Sequence, residues 1–459
     1  MEQNVSSKIP KIVYVFAVLG GFAGLLYGYD SGAIALALPG ITKEFGLNTQ
    51  EKGLVVSFLL LGALPSIIAA TIFERKIERR NLLIWGGIIF IIGSIGCALA
   101  DNTSTLLIFR FILGIAAGIA NMYGLIYLSE LAPPKIRGFM ASLYQLSVNI
   151  GILASYMVGA ANFSNGEWRW TLGLGVIPAL IFAVGMFISP QSPRWLVRDG
   201  KIDKARKVLS KVRYSKEEVE NEIQDIKLSL NHQSTKFTDL FKKFRPIVML
   251  GFVLTIFQVF TGINAAIYYA PEIFEHVGIS HASIIANYGV GIALVLSTLI
   301  SLPLIDRLGR KSLLIYSMIG QIPSCLGMAF FGDNAVLAII SLFIFVFSFG
   351  IGLGPVFWSY IPEIFPLRAR ALGMGIITFA QYGLNFVFSL TFPMFLVWMG
   401  NNVFLIYALL SLVAIFYIHF KAIETKGKTL EEIERYWIEN ENGGKNHGYK
   451  REEVKRTNV

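Results

Sequence analysis

Glu130-Leu131-Ala132-Pro133-Pro134-Lys135-Ile136-Arg137-Gly138 follows one apolar block of the chain and precedes another. About 232 residues later comes Glu363-Ile364-Phe365-Pro366-Leu367-Arg368-Ala369-Arg370, in the same setting. Each stretch has a Glu, a Pro three residues on and an Arg seven residues on. A second pair shares the offset: Glu74-Arg75-Lys76-Ile77-Glu78-Arg79-Arg80 and Asp306-Arg307-Leu308-Gly309-Arg310-Lys311. The chain therefore reads as a duplicated unit whose loops recur in order. Two like-oriented halves are the layout of a parallel-repeat transporter, with its site near the midplane between them.

The blocks on either side of these loops are about 20 residues long, enough to cross a bilayer as a helix. They predict twelve helices, at about 11–38, 52–73, 81–100, 105–128, 139–161, 170–188, 246–270, 283–304, 312–331, 335–360, 371–397 and 401–420. Composition agrees. Of 459 residues 54% are apolar and 15% charged, and the mean hydropathy is +0.60. A soluble domain is less apolar and carries nearly twice the charge. The expected fold is an all-α polytopic membrane protein, with twelve transmembrane helices in two pseudo-symmetric six-helix halves. Its divisions are a first bundle over 1–188, a helical cytoplasmic linker over 189–245, a second bundle over 246–420 and a tail over 421–459.

Charge orients the spans. Of 40 Lys and Arg, 36 fall in the N-terminus, the linker, the tail and the loops on the same side, while Lys43, Lys52 and Arg169 fall on the other. Basic residues accumulate on the cytoplasmic side. Both termini and the linker are thus expected in the cytoplasm. The net charge of +10 is a topology signal, and no separate basic fold suggests nucleic acid. No small-residue cleavage site follows the first apolar block, so no cleaved signal peptide is expected.

Asp30 and Arg110 stand inside spans one and four. An intramembrane charge is costly and is normally paired or faces water. At about 1.5 Å per residue, both lie about 8–12 Å below the outer surface. Matched depth and opposite charge make them candidates for one site; two separate snorkelling residues are the alternative. On the cytoplasmic face Glu130, Arg137 and the Arg79/Arg80 pair are expected to join in an ion-pair network, and Glu363, Arg370 and Arg310 in another. Such networks would hold the inner side shut in one state and part in the other. Solvated anchoring charges are the plainer alternative.

Further segments carry a resemblance. Span one has Gly20-Gly21-Phe22-Ala23-Gly24-Leu25-Leu26-Tyr27-Gly28-Tyr29-Asp30, and span four opens with Arg110-Phe111-Ile112-Leu113-Gly114. Span five has Gln145-Leu146-Ser147, and Pro190-Gln191-Ser192-Pro193-Arg194-Trp195-Leu196 follows span six. Span seven has Thr261-Gly262-Ile263-Asn264 and Tyr268-Tyr269-Ala270-Pro271-Glu272. Span ten has Gly354-Pro355-Val356-Phe357-Trp358, and the tail has Glu424-Thr425-Lys426-Gly427. In order and spacing these resemble the sugar porter family of the major facilitator superfamily, from about Gly20 to Glu434.

The resemblance implies a proton-coupled importer of a monosaccharide or related polyol, working as a monomer in the cell membrane without a cofactor or metal. It implies sugar contacts from Gln145, Gln258, Asn264, Gln381 and Asn385, with Trp358 stacking on the ring and Tyr27 and Tyr382 lining the site. Amide side chains donate and accept without charge, which suits hydroxyls. For each, an interhelical hydrogen bond is the alternative role. Tyr268 and Tyr269 would form the outer gate. Arg194, Asp306 and Glu424 would join Arg79, Arg80, Glu130, Arg137, Arg310, Glu363 and Arg370 at the inner gate. Asp30 would carry the proton, with Arg110 tuning it. Arg110 favours the carboxylate and burial favours the neutral acid.

Some residues depart from the family pattern. Val259 replaces the second of two glutamines in span seven, and Leu294 stands where the family often has Asn. The loop after span two has Arg75 and Glu78 where the family has an acid and a glycine. Leu125, Gln191 and Ile423 replace Pro, Glu and Pro. A passive sugar uniporter, a non-transporting sugar sensor and a carrier of a non-sugar solute are competing readings. An enzyme is not expected. No nucleophile–base set or phosphate loop is visible, and His232, His276, His281, His419 and His447 have no metal spacing. Two cysteines inside apolar blocks, Cys97 and Cys325, argue against a disulfide framework.

Overall fold

The computed structural model describes residues 11–73, 77–131, 137–163, 167–213, 215–231, 237–275, 282–366, 369–428, 432–433 and 436–437. Helices account for nearly all of this, and no strand occurs among the described residues. The first half contains α1 (Lys11–Phe45), α2 (Thr49–Phe73), α3 (Arg79–Ala98), α4 (Thr103–Leu131), α5 (Arg137–Phe163), α6 (Trp168–Gly173) and α7 (Val176–Ile188). Four short helices follow over the linker: α8 (Pro193–Arg198), α9 (Ile202–Val212), α10 (Lys216–Asn231) and α11 (Phe237–Lys243). The second half contains α12 (Arg245–Phe260), α13 (Ile263–Tyr268), α14 (Ala270–Glu275), α15 (Ala282–Leu308), α16 (Arg310–Phe331), α17 (Ala335–Ile351), α18 (Leu353–Ile364), α19 (Arg370–Met399) and α20 (Val403–Lys421).

Ten stretches of the described residues are long and apolar enough to cross a membrane. The last, Leu372–Lys421, includes most of α19 and all of α20. With α1, 35 residues long, the chain has the twelve crossings that the apolar blocks predict. We call the end where α1 begins and α20 ends the terminal face, and the opposite end the far face.

Three crossings differ from the continuous helices expected. Crossing six breaks at Gly175, crossing seven at Gly262 and crossing ten at Gly352. The cause is clearest at Gly262. Its φ is +101°, and a Cβ there would lie 2.5 Å from the Tyr407 ring. Only glycine supplies that backbone without strain. The break turns the chain between Gln258 and Asn264.

Within the first half α1 packs on α5, and α2 on α4. Within the second, α16 packs on α17 and α20. The halves meet where α2 lies along α19 and α5 along α15. At Gly53 the approach is close, because a Cβ there would lie 2.4 Å from the Leu390 carbonyl oxygen. Close contact through small residues is how helices pack where lipid offers no hydrophobic drive between them. The linker is tied to the bundle by Arg213, which pairs with Glu222 and donates to the Leu131 carbonyl at 3.0 Å.

Candidate functional site

A cavity of about 80 Å³ lies between the two halves. The helix break after Gln258 brings Gln258 and Asn264 to one wall, and α19 adds Gln381. Gln145 faces them from α5, with Tyr27 from α1 and Trp358 from α18. Gln381 donates to Gln258 at 3.5 Å, a weak contact. Asn264 Nδ2, Gln381 Oε1 and Asn385 Nδ2 are buried without a hydrogen-bond partner. A buried amide left unpaired costs about 1–3 kcal/mol. Two of these three line the cavity, so a ligand with hydroxyls would satisfy groups that the protein leaves unpaired.

The other expected contacts are placed differently. Tyr382 and Asn385 are buried on α19 but do not line the cavity. The Tyr382 hydroxyl accepts from Asn121, and its ring lies 5.9 Å from that of Tyr27. Asn385 accepts from Ser389 at 3.2 Å. The two tyrosines expected at the outer gate part company. Tyr268 lines the cavity. Tyr269 is fully buried and donates to the Ser389 carbonyl at 2.6 Å, beside Phe392. Of the two departures at expected sugar contacts, Leu294 lines the cavity, whereas Val259 is buried and does not.

Sequence reasoning missed several polar residues of the first half, among them Ser31, which lines the cavity from α1. Asn121 and Tyr144 line the cavity, and Tyr144 donates to Asn121 at 3.0 Å. Asn149 donates across the halves to Thr298 at 2.7 Å and to the Leu294 carbonyl at 3.2 Å. Asn121 and Asn149 are amides inside apolar blocks, and that was the available signal.

Asp30 and Arg110 do meet. Arg110 Nη1 lies 2.7 and 2.8 Å from the two carboxylate oxygens, and both residues are buried. Arg110 also donates through Nε to the Val55 carbonyl at 3.0 Å and through Nη2 to Val56 at 3.2 Å. The guanidinium is thus held by α2 while it faces α1. Further toward the far face, Lys52 on α2 pairs with Glu272 on α14 at 2.8 Å. That ion pair joins the halves and was not foreseen.

The terminal face carries two matching clusters. Arg79 pairs with Glu130 at 3.2 Å, and Ser192 donates to the same carboxylate. Arg310 pairs with Glu363 at 3.0 Å, and Thr425 donates to that carboxylate. Arg310 also contacts the exposed Asp306 at 3.3 Å. Arg80 departs from the expected network. It donates to the carbonyls of Met186 and Phe187 at 3.1 and 2.6 Å and so caps the end of α7. These carbonyls lack helical partners, and a cation there is favourable.

Helix starts are also capped. Glu78 accepts from the amides of Arg80 and Asn81 at 3.2 and 3.0 Å at the start of α3. Burial pushes the Glu78 carboxyl above its ordinary value, against the amides that donate to it. Glu424 accepts from the amides of Arg310 and Lys311 at 2.9 and 3.1 Å at the start of α16. Tyr127 donates to the Pro190 carbonyl at 2.6 Å, and Tyr360 to the Ile423 carbonyl at 2.8 Å. Arg194 is exposed on α8, and Arg370 opens α19. Arg137 opens α5, and its side chain lies outside the described residues.

Comparison with known proteins fits this arrangement. The family model described as sugar (and other) transporter matches residues 15–437. A glucose transporter of Staphylococcus epidermidis is 38% identical over 92% of this chain and 96% of its own. A galactose-proton symporter of Escherichia coli is 36% identical over 95% of this chain and 96% of its own. The structure of a proton:xylose symporter bound to 6-bromo-6-deoxy-D-glucose superposes with a TM-score of 0.81 at 28% identity. It covers 94% of this chain and 100% of that one. The chain belongs to the sugar (and other) transporter family of the major facilitator superfamily. It is a multi-pass membrane transporter and not an enzyme.

Proposed function

We propose that this transporter imports a monosaccharide, or a closely related polyol, together with protons by alternating access. Both termini would lie in the cytoplasm of a cell whose plasma membrane holds the protein. One chain encloses the whole cavity, so a monomer suffices. The observation that carries the reading is the buried Asp30–Arg110 pair standing on the same helices that line the cavity with Tyr27 and Asn121. The relatives include a galactose-proton symporter and a proton:xylose symporter.

The residues support each step. Gln145, Gln258, Asn264 and Gln381 meet sugar hydroxyls as donors and acceptors, and Trp358 offers its face to the apolar side of the ring. Asn385 and Tyr382 shape the α19 wall behind them. Asp30 takes a proton from the outer side. Neutralised, it no longer attracts Arg110, and the pair separates as the outer side closes. Tyr268, with Tyr269 behind it, covers the cavity toward the far face. On the terminal face Arg79, Glu130, Arg310 and Glu363 hold helix ends together and part when the inner side opens. Arg80, Arg137, Arg194, Asp306, Arg370 and Glu424 flank them. Leu294 removes one polar contact, so the preferred substrate has a hydrogen-bonding pattern unlike one that needs Asn there.

Proteoliposomes with a trapped pH indicator and an external panel of pentoses, hexoses and inositols test the reading. Internal acidification triggered by one sugar is the expected result, and it names the substrate. Labelled sugar entering without acidification would establish uniport and reduce Asp30 to a structural role. No response from folded protein would overturn the sugar reading. Asp30→Asn should abolish uphill accumulation while leaving exchange intact.

A further inference from the structure

The polar groups around the cavity are unevenly divided. The second half sets Leu294, Ile263, Ile267 and Phe349 beside its amides, while only Val148 and Ile152 are apolar among the first-half residues, which include Asn121, Tyr144 and Asn149. Asn149 is occupied by Thr298 and the Leu294 carbonyl. Asn121 is engaged through one N–H and one lone pair. Its Oδ1 accepts from Tyr144 at 3.0 Å and its Nδ2 donates to the Tyr382 hydroxyl. A carboxamide has two N–H groups and two lone pairs on its oxygen. One N–H and one lone pair of Asn121 therefore have no partner among these contacts, in a side chain that faces the cavity.

The contact with Tyr382 crosses between the halves, from α4 to α19. It also has a definite depth. Asn121 lies ten residues before the end of α4 at Leu131, about 15 Å above the terminal face. Tyr144 lies seven residues into α5 from the same side. Both mark the terminal side of the cavity, and Ile152 and Tyr268 mark the far side.

We propose that Asn121 is a specificity-determining residue that takes a hydroxyl of the transported sugar and gives up Tyr382 to do so. The inference rests on the sugar reading above. A sugar hydroxyl accepts and donates as a tyrosine hydroxyl does, so it replaces Tyr382 in kind. Where Leu294 withholds a polar contact on the α15 wall, Asn121 offers one from α4. The exchange also unfastens α4 from α19 below the sugar. Recognition of one hydroxyl is thereby tied to release of a contact that closes the cavity on the terminal side.

The test is equilibrium binding of the sugar identified by the panel, and of its single-deoxy analogues, to purified full-length protein. One deoxy analogue should bind the wild type about ten- to a hundredfold more weakly than the parent sugar. Asn121→Ala should weaken the parent by a similar factor and abolish that one distinction, leaving the penalties at other positions unchanged. Tyr382→Phe should bind the parent more tightly than the wild type, because Asn121 is then unoccupied. Where Asn121→Ala does not fold, Asn121→Ser serves the same cycle. Equal weakening of parent and all analogues would show that Asn121 only braces Tyr382, and would overturn the inference. Binding of no sugar by the folded wild type would instead overturn the sugar reading, and this inference with it.

Discussion

The clusters at the two helix starts on the terminal face use matching parts but are fastened by different routes. In the first half Glu78, adjacent to α3, caps that helix with its own carboxylate. In the second, the matching position is Gly309, with φ +91° and no side chain to offer. The cap of α16 comes from Glu424, 114 residues beyond Arg310. A Cβ on Gly309 would lie 2.5 Å from that carboxylate. The ion pairs beside the caps differ too. The Arg79 and Glu130 side chains are 5% and 6% exposed, against 16% and 27% for Arg310 and Glu363. The first cluster is dry and its helix cap is local, with Ser192 reaching in from the linker. The second is wetter and borrows from the tail. Duplication preserved the duty of each position and let the source of the partner change.

Burial should give the largest difference between them. Glu130→Ala leaves Arg79 buried without its carboxylate, a loss of about 3–5 kcal/mol. Glu363→Ala leaves Arg310 nearer water and still beside Asp306, a loss of about 1–2 kcal/mol. Thermal midpoints of the two variants in one detergent check this, and equal shifts would break the contrast.

The caps come next. Glu78→Ala and Glu424→Ala should each cost about 1 kcal/mol. The repairs should differ. Glu78→Ser keeps a local cap, because Glu78 already has an extended backbone. Gly309→Ser should not rescue Glu424→Ala, because its φ of +91° strains any side chain. Recovery of the midpoint in that double variant would show that the tail is dispensable.

The hydroxyls should matter no more than the caps. Ser192→Ala and Thr425→Val each remove one donor to a carboxylate that keeps its arginine, at about 1 kcal/mol. Both should change turnover in proteoliposomes while leaving substrate affinity alone. A changed affinity would place these residues nearer the substrate path than the structure does.

The smallest effect lies on the far face, as a reference for both clusters. Arg169 donates to Glu44 at 2.7 Å and holds its exposed carboxyl below the usual range. A depressed carboxyl contributes stability above its unfolded value, near pH 4, and loses it as pH falls through the folded value. Glu44→Gln should therefore flatten the acid side of the midpoint-against-pH curve and leave the neutral region unchanged. A large change at neutral pH would mean that the far face carries more than this pair.

Much of this was legible in the sequence, for a physical reason. Lipid demands long apolar helices, so composition alone marks the crossings. Duplication then writes Glu130 and Glu363 into the same frame. Asp30 and Arg110 stood out because a charge inside an apolar block needs a partner, and matched depth named it. The breaks at Gly262 and Gly352 were not legible. A glycine in an apolar run reads the same whether the helix bends there or continues, and the Tyr407 ring that settles the matter is far away in sequence. Arg80 looked like a partner of Glu130 because both are charged loop residues. Its actual acceptors are backbone carbonyls, which carry no sequence signal. Asn121 carries a weak signal in the sequence, because a single amide among apolar residues is more often a link between helices.

The grip of Arg110 on the carbonyls of Val55 and Val56 has a mechanical consequence. The arginine has two allegiances, one to α2 through backbone carbonyls and one to α1 through Asp30. In the proposed proton cycle, neutralising Asp30 would not strand the positive charge, because α2 would still shelter it. Only the link to α1 would slacken. The arrangement would then work as a clutch. α2 and α4 would stay geared to each other, and α1 alone would be engaged or let slip.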